Sequence, residues 1–105
     1  MIKKVLFDKK ERKYYWEKND LNTSLGLIKE SEMNKDEATS NTNQKFRVMT
    51  ANFLDNLEKI KTGPATTSLK DIGAILTYTG ISKDSIIAEA GTGSGHLTAV
   101  LSRFV

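Results

Sequence analysis

The chain has 105 residues and a net charge of +3, with 38% hydrophobic and 28% charged residues. This size leaves room for one small domain, or for one small module and part of another, and the composition excludes a fibrous or disordered protein. Because the chain contains no cysteine, disulfide bonds and thiolate metal sites are excluded, and a cytoplasmic location is favoured. No apolar run approaches the roughly 20 residues of a membrane span, and the start of the chain does not resemble a signal peptide.

The first half of the chain predicts short strands separated by polar turns. Apolar, aromatic and β-branched residues mark four strands, at residues 5–7, 13–17, 25–28 and 46–48. The first two are joined by a short charged turn, which is typical of a hairpin. Residues 31–45 hold hardly any apolar side chain, so we expect them to form a mobile loop. The sequence therefore predicts a small antiparallel β module over residues 1–50.

Most of the positive charge lies at the start of the chain. Residues 1–18 contain seven basic and three acidic side chains, a net charge of +4, whereas the remaining residues sum to −1. Four aromatic residues are interleaved with these basic side chains: Phe7, Tyr14, Tyr15 and Trp16. This pattern suits contact with an RNA backbone and unstacked bases. The alternative, which the pattern alone favours, is a solvated hairpin whose rings turn into a small core.

A linker helix is predicted after the β module, over residues 51–63. Asn52 is placed to cap its start, and Asp55 lies in the first turn, where a negative charge favours the positive helix end. Gly63 supplies the stop at the other end.

The rest of the chain predicts a helix, a strand and a second helix. Ser68 and Asp71 form a capping-box-like pair at the start of the first helix, and Gly80 ends it. Residues 86–90 are predicted as a short buried strand. The final helix has apolar residues spaced i, i+3, i+4 and i+7: Leu97, Val100, Leu101 and Phe104. The predicted class is therefore α/β, with residues 64–105 forming the incomplete opening of a doubly wound domain.

A glycine-rich turn, Glu89-Ala90-Gly91-Thr92-Gly93-Ser94-Gly95, joins the predicted strand to the final helix. This arrangement presents backbone N–H groups and a helix N-terminus to a ligand, and we expect positive φ angles at its glycines. No lysine follows Gly95, which excludes a phosphate-binding P-loop, and the third glycine comes one residue too early for a dinucleotide fingerprint. The pattern Glu-x-Gly-x-Gly-x-Gly resembles motif I of the class I S-adenosylmethionine-dependent methyltransferases. The alternative is a glycine-rich connection without a ligand.

The resemblance becomes narrower when the flanking segments are included. Four segments are similar, in content and in spacing, to the tRNA (adenine-N1) methyltransferases: residues 62–64, 70–73, 79–81 and 89–98. Residues 22–28 resemble the Thr-x-Leu-Gly-x-Ile segment of that family, and Asp55 falls on the acid of its linker helix. The resemblance covers nearly all of the chain. It implies a β module, a linker helix and a Rossmann-like domain that methylates N1 of an adenine in the tRNA T-loop with S-adenosyl-L-methionine as cofactor.

The resemblance also implies which residues bind the cofactor: Glu89, Gly91, Thr92, Gly93, Ser94, Gly95, His96 and Leu97. His96 is the single histidine, and it stands where the family has a small residue. We therefore expect a packing or backbone-contact role for it, and no acid–base catalysis. Residues 65–69 depart from the family's cofactor-covering segment, so the resemblance implies no side-chain contacts from them to the cofactor and leaves backbone contacts open. No catalytic residue and no metal site are implied within this chain.

The family's ribose-binding and acceptor-binding residues follow later strands, so we expect this chain to be the N-terminal part of an enzyme and inactive by itself. The whole enzyme is implied to be a homotetramer that acts on tRNA. Two alternatives stay open: part of a protein-L-isoaspartate-type or other class I methyltransferase, and a non-catalytic RNA-binding module that uses the basic β region. In the isolated chain we expect six apolar residues to remain uncovered: Ile86, Ile87, Leu97, Val100, Leu101 and Phe104.

Overall fold

The computed structural model describes residues 1–63 and 65–105. These residues form two compact units, Met1–Asn56 and Leu57–Val105. All the described strands lie in the first unit, and two of the three described α-helices lie in the second. The fold is therefore mixed α/β, with an antiparallel β module followed by helices.

The first unit contains six strands: β1 (Lys4–Phe7), β2 (Lys13–Trp16), β3 (Leu21–Thr23), β4 (Gly26–Ile28), β5 (Glu37–Thr39) and β6 (Lys45–Thr50). Four of them form an antiparallel sheet in the order β2-β1-β6-β5, and β3 pairs with β4 in a separate hairpin. A 3₁₀-helix at Glu30–Asn34 lies between β4 and β5. The predicted antiparallel β module is present, with β3 and β5 as two additional strands that the sequence did not indicate.

The core of the first unit lies against one face of the four-stranded sheet. In β6, Phe46 and Val48 are buried while Lys45 and Arg47 are exposed, which is the alternation that a sheet with one covered face requires. Six buried side chains make the core: Leu6, Ile28, Met33, Ala38, Phe46 and Val48. Tyr14 packs against Phe46 edge to face, with ring centres 5.6 Å apart.

The prediction of a mobile loop over residues 31–45 is wrong. This stretch contains most of the 3₁₀-helix and all of β5, and it contributes Met33 and Ala38 to the core. The Glu32 carboxylate also accepts a hydrogen bond of 3.1 Å from the Thr39 backbone N–H, which ties the 3₁₀-helix to β5. Two isolated apolar residues give no periodic signal, whereas in the folded unit both fill the core and order the polar residues around them.

Helix α1 spans Phe53–Glu58. The Asn52 N–H donates to the Asp55 carboxylate at 2.7 Å, and the Asp55 N–H donates to the Asn52 side-chain oxygen at 3.1 Å, so the predicted cap is confirmed. The helix is shorter than predicted. The Ile60 N–H donates to the Leu57 carbonyl at 3.1 Å, three residues back, and this tighter turn ends the α-helical pattern.

Helices α2 and α3 span Leu69–Thr79 and His96–Phe104. The Ser68 hydroxyl accepts a 3.2 Å hydrogen bond from the Asp71 N–H, and Gly80 ends α2 in the left-handed conformation with φ 66°. Both capping predictions for α2 are therefore confirmed. Such caps are predictable because each depends on the local sequence alone.

The stretch between α2 and α3, residues 81–95, forms turns and irregular backbone. The strand predicted at residues 86–90 is not formed as a hydrogen-bonded element: no strand is described between residues 57 and 105, and a strand needs a neighbour to pair with. Ile86 is fully exposed, as expected. The expectation that Val100 and Leu101 remain uncovered is wrong, because α3 buries both to 7% exposure within the folded chain.

Candidate functional site

The glycine-rich turn has the backbone conformation that its sequence predicts. Gly91, Gly93 and Gly95 have φ angles of 71°, 59° and 83°, in the left-handed region that side chains disfavour. The Gly95 N–H donates to the Thr92 carbonyl at 3.1 Å and closes the turn. A β-carbon at Gly91 or Gly95 would meet no atom within 4 Å, and one at Gly93 would meet only the Gly91 carbonyl oxygen at 4.0 Å. Backbone conformation therefore requires glycine here, and the space beside the turn is open.

The first turn of α3 continues directly from these glycines. Gly95 is the N-cap, and it makes no side-chain cap because it has no side chain. The Ala99 N–H donates to the Gly95 carbonyl at 2.8 Å, which is the first intrahelical bond. The earlier N–H groups of the helix have no intrahelical acceptor, and the N-terminus carries a partial positive charge. The start of α3 therefore offers donors that suit an anionic group of a ligand.

Two neighbouring cavities adjoin the glycine turn. The larger has a volume of about 430 Å³ and is lined by Lys61, Thr62, Gly63, Ala65, Thr66, Gly91, Gly93 and Ser94. The smaller, of about 220 Å³, is lined by Ala65, Thr66, Thr67, Glu89, Ala90, Gly91, Thr92, Ser94, His96 and Leu97. The larger volume falls within the roughly 300–1,000 Å³ of small-molecule sites. Seven of the eight residues predicted from the resemblance line one cavity or the other, and Gly95 lies beside them as the cap of α3.

Glu89 is tied to α3 by a side-chain hydrogen bond. Its carboxylate accepts a hydrogen bond of 2.7 Å from the hydroxyl of Thr98, which lies in the first turn of that helix. Thr98 was part of the resembling segment but was not predicted to have a role. The bond places the negative charge of Glu89 near the positive end of α3, which is the favourable arrangement for a carboxylate.

His96 and Ser94 form a second side-chain contact at the turn. His96 is 8% exposed, and its Nδ1 lies 3.0 Å from the Ser94 hydroxyl. The histidine is the first residue of α3 and therefore has a fixed position relative to the turn. A buried, hydrogen-bonded ring fits the packing role expected for this residue.

Residues 61–63 and 65–67 line the cavities, and none of them was among the residues predicted to bind the cofactor. Thr66 reaches the glycine turn through its side chain, with its hydroxyl 3.3 Å from that of Ser94. This contact within the protein was not predicted from the sequence. The missing signal is spatial, because a single threonine 28 residues before Ser94 is not part of a recognisable motif.

Two of the seven basic side chains at the start of the chain, together with Arg47, form ion pairs with acids of the first unit. The Arg12 guanidinium lies 2.6 Å from the Asp8 carboxylate, and the Lys13 ammonium lies 2.6 Å from that of Asp55. Arg47 approaches Glu11 at 2.6 Å. Lysines 9 and 10 are exposed, and within the described chain their side chains form no ion pair. Both lysines lie in the turn of the hairpin and are open to a polyanion.

Two aspartates of the first unit have lowered pKa values. Burial by itself raises the pKa of Asp8, but hydrogen bonds from the Arg12 and Lys10 backbone N–H groups and from the Arg12 guanidinium outweigh it. The pKa of Asp55 is lowered by the hydrogen bond from the Asn52 N–H and then by Lys13. Both carboxylates are structural: they hold the hairpin turn and the start of α1.

The aromatic residues of the hairpin divide between the core and the surface of the sheet. Tyr14 and Trp16 pack against the core, which is the arrangement that the solvated-hairpin interpretation predicts. The other two rings contact cations. The Lys13 ammonium lies 5.1 Å from the centre of the Tyr15 ring, and the Arg47 guanidinium lies 5.4 Å from the centre of the Phe7 ring. The rings are therefore occupied by contacts within the unit.

Among residues 1–63 and 65–105, no three histidine, aspartate or glutamate side chains come together in a way that could hold a metal ion. No helix in the described part of the chain is long and apolar enough to cross a membrane.

Comparison with known proteins adds an independent observation. The chain is 33% identical, over 105 aligned residues, to the tRNA (adenine(57)-N(1)/adenine(58)-N(1))-methyltransferase TrmI of Methanocaldococcus jannaschii. The alignment covers 97% of this chain and 37% of that protein, so the chain spans little more than a third of the curated relative's length. No family model matches the chain.

The fold is similar to that of a solved methyltransferase. A crystal structure of an S-adenosylmethionine-dependent O-methyltransferase from Thermotoga maritima superposes with a TM-score of 0.84 at 22% identity, and covers 98% of this chain and 41% of that one. At this identity the likeness concerns the fold alone. In sequence and in fold, the chain resembles the N-terminal part of a class I S-adenosylmethionine-dependent methyltransferase of the TrmI type.

Proposed function

We propose that this chain is the cofactor-binding N-terminal part of an S-adenosylmethionine-dependent tRNA (adenine-N1) methyltransferase. The observation that carries the proposal is the glycine turn: three glycines with positive φ open onto cavities that lie beside Glu89 and the start of α3. The 33% identity to a tRNA methyltransferase supports it. The same proposal includes a cytoplasmic location, where tRNA is found. It also includes the homotetramer that the resemblance implies for the whole enzyme.

The residues of the turn fit the methionine end of the cofactor. That end carries a carboxylate and an ammonium group. The carboxylate suits the free N–H groups at the start of α3, where the helix dipole is positive, and the ammonium suits the carboxylate of Glu89. The open space beside Gly91 and Gly93 lets a ligand approach the backbone closely. When bound, the cofactor supplies an electrophilic methyl group on its sulfonium; the chain's own residues bind and orient it.

The cofactor proposal is tested by titrating S-adenosylmethionine into the ¹⁵N-labelled chain and following its amide resonances by NMR. We expect saturable shifts concentrated at residues 89–97. Gly93→Val should abolish them, because a β-branched residue neither adopts positive φ readily nor leaves space for the ligand.

The matched control is Gly80→Val. Gly80 has φ 66°, close to the 59° of Gly93, and a β-carbon there meets nothing within 4 Å, but Gly80 caps α2 and lines neither cavity. This variant carries the same backbone strain and should retain the shifts. Shifts spread evenly over the chain, or equal losses in the two variants, would contradict a cofactor site at the glycine turn.

The tRNA part of the proposal concerns Lys9 and Lys10, which are exposed and unpaired within the described chain. If both contact phosphates, replacing them with serine should weaken tRNA binding and reduce the slope of log K against log salt by about 1 to 2. Arg12 and Lys13 are unsuitable for this test because their ion pairs hold the fold.

Lys29 and Lys83 provide the control, since both are exposed and lie outside this hairpin. Their double replacement by serine removes the same charge and should change the slope less. Equal effects of the two double variants would mean that the net charge alone attracts RNA. Binding of tRNA with no response to S-adenosylmethionine would favour the alternative, a non-catalytic RNA-binding module.

A further inference from the structure

A hydrogen-bonded chain of side chains connects residues that are far apart in sequence within the second unit. The Thr66 hydroxyl lies 2.9 Å from the Gly63 carbonyl and 3.0 Å from the Gly63 N–H. The same hydroxyl lies 3.3 Å from that of Ser94, and Ser94 lies 3.0 Å from Nδ1 of His96. We call this set, Gly63, Thr66, Ser94 and His96, the threonine–histidine relay.

The positions of the protons in the relay follow from counting donors. A threonine or serine hydroxyl has one proton and two lone pairs. Thr66 donates its proton to the Gly63 carbonyl and accepts a hydrogen bond from the Gly63 N–H. Toward Ser94 it therefore has one free lone pair and can only accept. In this arrangement Ser94 donates to Thr66. Its proton is then used, so Ser94 accepts from His96.

His96 can donate from Nδ1 only when that nitrogen carries the proton. In its neutral form the imidazole has one protonated nitrogen, and the hydrogen bond made by one nitrogen sets the state of the other. The relay thus requires the Nδ1–H form of neutral His96, with Nε2 as an acceptor. Protonation of the ring adds a proton at Nε2 and leaves the Nδ1–H donor in place.

The relay also lies where the proposed cofactor site is built. Thr66 and Ser94 line both cavities, Gly63 lines the larger and His96 lines the smaller. It joins the glycine turn to residues 65–67, which form a wall of the site and which depart in sequence from the segment that the resemblance predicts. A hydroxyl at position 66 thereby connects this wall to the turn.

We infer that the threonine–histidine relay positions residues 65–67 against the glycine turn and so shapes the cofactor cavity, with neutral His96 held in its Nδ1–H form. Thr66, Ser94 and His96 are positioning residues in this role. The cofactor part of the inference rests on the proposed function; the relay itself does not, and the two are tested separately.

The relay is tested first in the free chain. His96 is the single histidine, so a long-range ¹H–¹⁵N spectrum reports its tautomer without ambiguity. In alkaline solution, where the imidazole is neutral, we expect the Nδ1–H form. The Nε2–H form would overturn this assignment: Ser94 would then donate to His96, and Thr66 would donate to Ser94 and leave the Gly63 carbonyl to the Thr66 N–H, which lies 3.3 Å from it.

Amide exchange tests the positioning role, also without cofactor. Thr66→Val removes the hydroxyl while keeping the shape of the side chain, and should speed exchange of the Gly63 and Thr66 N–H groups, which donate to the Thr66 hydroxyl and to the Gly63 carbonyl. Thr66→Ser restores the hydroxyl and should restore slow exchange. Thr77→Val is the control: its hydroxyl also donates to a backbone carbonyl, that of Gly73 at 2.8 Å, but it lies on α2 and lines neither cavity. Unchanged exchange in Thr66→Val would overturn the positioning role.

The cofactor part is then measured as the dissociation constant of S-adenosylmethionine. Loss of the hydrogen bond that joins Thr66 to Ser94 should weaken binding about threefold to tenfold in Thr66→Val, and Thr66→Ser should bind as the unaltered chain does. Ser94→Ala combined with Thr66→Val should weaken binding no more than Ser94→Ala alone, because either change breaks the same link. Additive losses would overturn the relay's effect on the cavity. A chain that shows the Nδ1–H form but binds no S-adenosylmethionine would overturn the proposed function and leave the relay standing.

Discussion

Residues 1–56 and residues 57–105 hold their structure in different ways. In the first unit, strands that are far apart in sequence pair with each other: β1 lies between β2 and β6, and Leu6 is opposite both Tyr14 and Val48. In the second unit the regular elements are helices with their own caps, and Ile86 between them is fully exposed. The comparison shows that local signals define the second unit, whereas long-range pairing defines the first.

The physical reason lies in where each element finds its hydrogen bonds. A helix satisfies its backbone groups within one segment, so capping residues are enough to delimit it. A strand satisfies them only against a neighbour. The apolar residues 86–90 have the composition of a buried strand but pair with no described strand, and they form no regular element.

The largest expected contrast between the units is in amide exchange. The Val48 N–H, hydrogen-bonded to the Asp36 carbonyl at 2.8 Å, should exchange at least about a thousandfold more slowly than the N–H groups of Ile86 and Ile87. Exchange monitored by NMR in the monomeric chain measures this directly. Protection of residues 86–87 comparable to that of Val48 would show that the second unit contains long-range pairing as well.

Next in size is the loss of a core side chain from the first unit. Phe46 is 1% exposed and packs against Tyr14, so Phe46→Ala should lower the free energy of unfolding by about 3–5 kcal/mol. The single tryptophan, Trp16, packs against the same core and reports denaturant unfolding of this unit by fluorescence. Met49→Ala on the same strand, at 52% exposure, should cost much less. Similar losses in the two variants would contradict the one-sided core.

A smaller effect is expected from the local signal that starts α2. Ser68→Ala removes the hydroxyl that accepts from the Asp71 N–H, and should destabilise the helix by about 1 kcal/mol. Ser68→Asn keeps an acceptor at the N-cap and should restore most of the loss. Hydrogen exchange along α2 gives the readout. A helix unaffected by Ser68→Ala would owe its start to packing and not to its cap.

The last and smallest expected effect is on the acid dependence of stability, to which Asp8 contributes. The pKa of Asp8 in the folded chain is lowered, so its contribution to stability is present above the ordinary pKa of about 3.9 and is lost as the pH falls through the lower folded value. Asp8→Asn keeps an acceptor oxygen for the backbone N–H groups but cannot titrate. Stability measured against pH should therefore fall less steeply below pH about 4 in this variant.

Asp36→Asn is the control for Asp8→Asn, because it removes the same charge from an exposed position of the same unit. Some slope should remain in Asp8→Asn, because the pKa of Asp55 is also lowered. An unaltered acid slope in Asp8→Asn would mean that other carboxylates carry the acid sensitivity of this unit.

The polar stretch of residues 31–45 shows why part of the fold could not be predicted. Its two apolar residues, Met33 and Ala38, are isolated in sequence, yet in the folded unit they are 1% and 0% exposed. Periodicity identifies elements that have several apolar residues on one face. A 3₁₀-helix and a short strand that contribute one side chain each to the core lie below that threshold.

The candidate site likewise combines a part that the local sequence predicts with a part that depends on long-range contacts. The positive φ angles at Gly91, Gly93 and Gly95 were predictable, because the pattern of glycines before a helix is a local signal. The contact between the Thr66 and Ser94 hydroxyls was not, since nothing in either segment specifies that the two meet. The motif therefore located the turn, and the fold located the wall that faces it.

By itself, the sequence determined the local structure: the hairpin of β1 and β2, the caps of α1 and α2, the amphipathic face of α3 and the glycine turn before it. Each of these depends on residues within a few positions of one another, so its free energy is set by the local chain. Only the tertiary structure decided the pairing of β1 with β6, the burial of Met33 and the link from Thr66 to His96. These contacts join distant segments, and their formation depends on which surfaces the folded chain brings together.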